Sequence, residues 1–125
     1  MKRIFFVEDN DDNAEVIEGM IQRCGYETLR AATGEELLHL LSENIPDLIL
    51  VDIELPGING RDLLQIFRAD PRFAHLPIVA MSGGMGGSRE NYLSFGFNDF
   101  LAKPFRTPEL KAVLVAQLEP AACNK

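Results

Sequence analysis

The stretch Leu48-Ile-Leu-Val-Asp52-Ile-Glu54-Leu-Pro56-Gly57-Ile-Asn-Gly60 leaves this chain few folds to choose from. Four consecutive apolar residues run into an aspartate, and a turn rich in proline and glycine follows at once. An apolar run without alternation, bounded by turn signals, marks a strand covered on both faces, as in a parallel sheet. Asp52 then falls at the carboxyl end of that strand, the edge at which open α/β sheets place their ligands. A carboxylate there must be hydrated, paired or bound to metal, because burying it bare is too costly. The remaining residues are read for what they bring to Asp52.

Taken in order, residues 4–7 form a short buried strand, ended by Glu8-Asp9-Asn10-Asp11-Asp12-Asn13. That acidic run supplies an N-cap and first turn for a helix. Ala14, Ile17, Met20, Ile21 and Cys24 carry the helix's apolar face, and Gly25 closes it. Residues 26–31 form a weaker second strand. Thr33-Gly-Glu-Glu36 reads as a capping box for a helix with Leu37, Leu38, Leu40 and Leu41 inside. After Gly60, Leu63, Leu64 and Phe67 line a third helix, which Asp70-Pro71 ends. Residues 77–81 form a fourth strand, stopped by Ser82 and the glycines 83, 84, 86 and 87. Ser88 caps a short helix that Gly96 closes, and residues 100–102 are a fifth strand running into Lys103-Pro104. Thr107-Pro108 opens the last helix as cap and first-turn proline, with Leu110, Val113, Leu114 and Leu118 on its inner face. Five alternations of strand and helix call for right-handed crossovers and a parallel sheet covered on both faces.

Length and charge limit the function. With 125 residues there is room for one domain, expected over 1–119, with 120–125 as a polar tail. Acids outnumber bases 19 to 12, for a net charge of -7, which argues against direct binding of nucleic acid and favours protein partners. Cys24 and Cys123 are too few for a disulfide framework, so a reducing, cytoplasmic setting is the simpler expectation. The first residues carry only a short apolar run ending in acids, which reads as neither signal peptide nor membrane span.

In such a sheet all carboxyl ends share one rim, so Glu8, Asp9, Asp52, Ser82 and Lys103 converge from distant parts of the sequence. Three carboxylates do not sit together ionised without a cation. Hard oxygen donors in this number suit Mg²⁺, which binds through one or two carboxylates and phosphate oxygens. A lysine and a hydroxyl facing them are parts for steadying a phosphoryl group, where positioning and charge stabilisation do most of the work. The residues alone thus suggest a metal-assisted phosphoryl site with Asp52 as nucleophile or ligand.

Glu8-Asp9, Asp52 with Pro56 and Gly60, Ser82, and Lys103-Pro104-Phe105 resemble, in order and spacing, the receiver domains of two-component response regulators. The resemblance runs from Lys2 to Leu118. It implies a CheY-like, flavodoxin-like doubly wound (βα)5 fold with strand order 2-1-3-4-5. It implies that Asp52 accepts a phosphoryl group from a phosphohistidine on a sensor histidine kinase or a histidine phosphotransfer protein, within a phosphorelay. Glu8, Asp9, Asp52 and the backbone carbonyl of Glu54 would hold Mg²⁺, with Mn²⁺ able to substitute. Ser82 would hydrogen-bond the phosphoryl oxygens, Lys103 would pair with them, and Lys103-Pro104 would be cis. Ser82 and Phe100 would form a switch that reshapes the face of helix 4, strand 5 and helix 5 for a downstream protein. Phe100 lacks the hydroxyl of the more usual tyrosine. The expected state is a monomer or weak dimer, acting as a signalling module and not an enzyme beyond its own phosphorylation and dephosphorylation.

Two other functions compete. Asp52-Ile-Glu54 imitates the two-acid motif of aspartyl-nucleophile phosphatases, but the second acid is Glu and no cap segment encloses a small substrate. A pseudo-receiver would bind partners without phosphorylation; the complete residue set argues against it. A flavin site would need a phosphate cradle after the first strand, where the acids repel phosphate. Each site residue alone has a bland reading, as helix start, turn or surface charge, but five such coincidences at matching positions are less probable than one site. His39 and His75 are assigned nothing, and Arg68, Arg72 and Arg89 read as solvated charges.

Overall fold

The computed structural model describes residues 2–53, 60–83 and 89–119. Among them the elements alternate without exception: β1 (Arg3–Val7), α1 (Asp11–Arg23), β2 (Glu27–Ala31), α2 (Gly34–Leu41), β3 (Leu48–Asp52), α3 (Gly60–Ala69), β4 (Ile78–Ser82), α4 (Arg89–Phe95), β5 (Asp99–Ala102) and α5 (Thr107–Leu118). The strands pair in parallel in the order β2-β1-β3-β4-β5, as expected. The Glu54 carbonyl, Pro56, Gly57, Gly84, Gly86, Gly87, the Ser88 cap and the 120–125 tail lie outside the described residues.

Side chains of a strand alternate between faces, and here the alternation builds two cores. Phe5, Val7, Ile49, Val51, Ile78 and Ala80 pack on one side with Leu37, Leu63, Phe67 and Tyr92 of α2, α3 and α4. Ile4, Phe6, Leu48, Leu50, Val79 and Met81 pack on the other with Ile17, Ile21, Leu110 and Leu114 of α1 and α5. All five residues of β3 are buried, Asp52 included, which the apolar run required.

The helix ends mostly follow their sequence signals. Asn10 Oδ1 accepts from Asn13 N at 2.9 Å and caps α1, with Asp11 and Asp12 in the first turn. Thr33 caps α2 by accepting from Glu36 N. Gly25 and Gly96 leave α1 and α4 at φ of 94° and 118°, backbone that favours glycine. Three expectations need correction. Thr107 is already helical, and the cap is Arg106, whose N–H donates to Glu109 Oε1 at 2.9 Å. Leu38 and Leu40 are only half-buried: they pack at the margin of the core that Leu37 and Leu41 enter fully. Arg68 is not a solvated charge. Its Nη1 donates to the carbonyls of Phe73, Ala74 and Leu76, and its Nη2 to Gly96 O and Asn98 Oδ1. It thereby ties the end of α3 to the segments entering β4 and β5, at the amino rim.

Candidate functional site

The site stands at the opposite rim. Alternation decides who faces whom. Asp52 follows Leu48 and Leu50 in parity, Glu8 follows Ile4 and Phe6, and Lys103 follows Leu101, so all three fall on the side of α1 and α5. Ser82 follows Ile78 and Ala80 and falls with Phe100 on the side of α4. The site is therefore split by the sheet: an acid-lysine half toward α1, and the hydroxyl with the aromatic toward α4.

Glu8 and Asp52 are buried, at 1% and 5% exposure, while Asp9 is exposed. Lys103 Nζ bridges the two buried acids, donating to Asp52 Oδ2 at 2.6 Å and to Glu8 Oε1 at 2.7 Å. Burial pushes this ammonium toward its neutral form, but the hydrogen bonds and charges of Asp52 and Glu8 outweigh it and raise its pKa above the ordinary lysine value. The lysine is held charged. Carboxylate oxygens of Glu8, Asp9 and Asp52 lie within 4.8 Å of one another, beside a cleft of about 330 Å³ that Gly83 and Lys103 also line. Three acids against one lysine leave a surplus of negative charge, and an all-oxygen donor set suits Mg²⁺ or Mn²⁺ and not a soft metal. The residues present fit the ion that the sequence calls for.

Two glycines make room for this arrangement. A Cβ on Gly83 would stand 3.3 Å from Lys103 Cβ, and one on Gly60 would stand 2.8 Å from Ile53 Cδ1 and 3.1 Å from Ile53 Cα. Gly60 thus lets α3 begin directly against the end of β3. The Lys103-Pro104 peptide is cis, as expected, and Lys103 N donates to Ser82 O at 2.8 Å, joining the ends of β4 and β5. Ser82 is buried. Phe100 is half-buried and stacks on Tyr92 of α4, with ring centroids 4.7 Å apart and planes 11° from parallel. Phe95 is exposed on α4 and lies under the Arg61 guanidinium at 4.5 Å.

Sequence reasoning missed one residue here. Arg30, on β2, donates from Nε and Nη2 to the carbonyl of Glu8, at 3.0 and 2.8 Å, and from Nη1 to Asp11 Oδ1 at 2.8 Å. Strand parity turns Arg30 toward the acidic loop, but its partner at the site is a main-chain carbonyl, which no spacing of side chains reveals.

Residues 4–115 match the family model of the response regulator receiver domain. The polar-differentiation response regulator DivK of Brucella ovis is 33% identical over 121 residues, covering 96% of this chain and 98% of that protein. Among solved structures, the receiver domain of the sensor histidine kinase PA1611 from Pseudomonas aeruginosa PAO1 has a magnesium ion coordinated in its active-site cleft. It is 36% identical, with a TM-score of 0.84, and the match covers 94% of this chain and 97% of that one. The Vibrio cholerae chemotaxis protein CheY4 is 25% identical, with a TM-score of 0.85, over 94% of this chain and 99% of that one. Among the described residues no helix is long and apolar enough to cross a membrane.

Proposed function

This chain belongs to the response regulator receiver domains of two-component signalling, and within that family we propose that Asp52 is the phosphoacceptor of a Mg²⁺-dependent phosphorelay step. The observation that carries the reading is the charge-held Lys103 bridging Asp52 and Glu8 beside the surplus acid of Asp9. An Asp52 carboxylate oxygen attacks the phosphorus of a phosphohistidine whose other ring nitrogen carries the proton; the P–N bond breaks, its electron pair stays on the nitrogen, a neutral imidazole leaves, and an acyl phosphate remains. Lys103 moves from the carboxylate to a phosphoryl oxygen without changing its charge, so the stabilising cation is in place before the transfer. Glu8, Asp9 and Asp52, with the Glu54 carbonyl, would hold Mg²⁺, which supplies neutralisation of the phosphoryl oxygens.

The donor is a sensor histidine kinase or a histidine phosphotransfer protein, and the output is contact with a downstream protein. Ser82 and Phe100 share the α4 side of the sheet, so drawing the Ser82 hydroxyl to the phosphoryl group would disturb the layer in which Phe100 stacks on Tyr92. The switch is then a shift between two packings of that ring pair. The test is labelling by acetyl phosphate, read by intact mass, on the native chain and on Asp52→Asn. One phosphate is expected on the native chain, none with chelator and none on the variant. A labelled Asp52→Asn chain would remove Asp52 from the role.

A further inference from the structure

Arg30 reads the backbone of the site and not its carboxylates. The chain leaves β1 at Val7, and Glu8 is then gripped at each polar atom. Its N–H donates to Ala31 O at 3.0 Å, its Oε1 accepts from Lys103, and its Oε2 accepts from Asn10 N at 3.2 Å. Its carbonyl takes both Nε and Nη2 of Arg30. That carbonyl belongs to the peptide linking Glu8 to Asp9, so the guanidinium fixes the plane from which Asp9 projects. Nη1 meanwhile holds Asp11, in the first turn of α1. The planar fork therefore spans the acidic turn from Glu8 to Asp11, with Asp9, the exposed acid, between its two anchors. The side chain can do this because β2 pairs with β1 in register, Phe6 opposite Arg30 and Val7 opposite Ala31.

We propose that Arg30 is a positioning residue for the divalent-cation site: by clamping the Glu8 carbonyl and Asp11 it holds Asp9 in line with Asp52 and Glu8. The inference rests on the reading of that site as a cation site. Its sign is what makes it testable. A guanidinium near a cation site repels the cation, so by charge alone its removal tightens binding. As a clamp its removal weakens binding, because Asp9 must then be ordered when the ion arrives. Groups that orient metal ligands from behind typically carry 10–100-fold in affinity. Arg30 holds the backbone and not a ligand oxygen, which puts the expected loss at about 10-fold.

The experiment is Mg²⁺ titration, followed by amide NMR, of the native chain, Arg30→Met and Arg30→Lys, with the thermal midpoint of each metal-free chain. Lysine keeps the charge but cannot present two parallel N–H groups to one carbonyl while pairing with Asp11. Weaker Mg²⁺ binding in both variants, by about 10-fold, is the expected result. Tighter binding in Arg30→Met with Arg30→Lys unchanged would reduce Arg30 to a charge and overturn the proposal. So would a fall in thermal midpoint with affinity unchanged, which would make the clamp purely structural. If the native chain itself binds no Mg²⁺, the reading of the site fails, and that result is distinct from any failure of the clamp.

Discussion

At the carboxyl rim of this sheet one lysine faces three carboxylates; at the amino rim one arginine faces four backbone carbonyls and an amide oxygen. Both cations bind chain segments that are remote in sequence, and both are partly withdrawn from water. The difference is in what compensates them. Neutral dipoles satisfy the donors of Arg68 and leave no net charge except its own, which burial opposes, so its pKa is lowered. Carboxylates overcompensate Lys103 and leave a deficit of positive charge. An arrangement of the first kind is closed and serves the fold. One of the second kind is open to a further cation and can exchange partners, which a phosphoryl site requires.

The largest expected effect breaks the open rim. In Lys103→Met the buried Glu8 and Asp52 face each other without their cation. Removing one partner of a buried pair typically costs about 3–5 kcal/mol; with the Lys103 side chain 22% exposed, about 3 kcal/mol is expected. Because the loss is one of charge, saturating Mg²⁺ should restore most of it. Urea denaturation with and without Mg²⁺ measures both quantities. A loss that Mg²⁺ leaves untouched would mean that Lys103 holds the rim by packing, and the distinction between the rims would fall.

The closed rim should respond differently. Arg68→Ala frees carbonyls in the segments before β4 and β5, some of which water can reach, so a loss of about 2 kcal/mol is expected. It should be the same with and without Mg²⁺, and Mg²⁺ affinity should not change. A shifted Mg²⁺ affinity in Arg68→Ala would show the two rims to be coupled through β4 and β5.

The same contrast explains what the sequence displayed. Asp52 was legible because four apolar residues before it leave only a buried parallel strand, whose end is a rim. Glu8 and Lys103 were legible because they too follow apolar strands, and the order of residues around them resembles receiver domains. The partners of Arg68 and Arg30 were not legible. Those arginines bind main-chain carbonyls, which every residue carries, so no spacing of side chains reveals them. The cap of α5 was misplaced by one residue for a related reason: the decisive bond joins the Arg106 N–H to Glu109, while Thr107-Pro108 offered a side-chain signal next to it.

The amino rim holds carboxylate contacts too, among them Arg3 N–H on Asp47 Oδ2 at 2.8 Å, and another gives the smallest test. The Tyr26 hydroxyl donates to Glu119 Oε2 at 2.7 Å, tying the entrance of β2 to the end of α5. Burial first, and then the hydrogen bond to Glu119, push the phenol from 10.0 up to about 12. A proton held more tightly in the folded than in the unfolded chain stabilises the fold. The contribution is therefore complete below pH 10 and is lost as pH rises from about 10 to about 12. Tyrosinate absorbance, taken as the difference between the native chain and Tyr26→Phe, should show a midpoint near 12. Glu119→Gln should bring it part of the way back toward 10, since burial remains. Here, unlike at Lys103, the donor is neutral, and among the described residues Glu119 belongs to no cluster of acids that could hold a metal, so Mg²⁺ should leave the midpoint where it is. A Tyr26 that titrates at its ordinary value would take both the burial of its hydroxyl and the hydrogen bond to Glu119 out of the account.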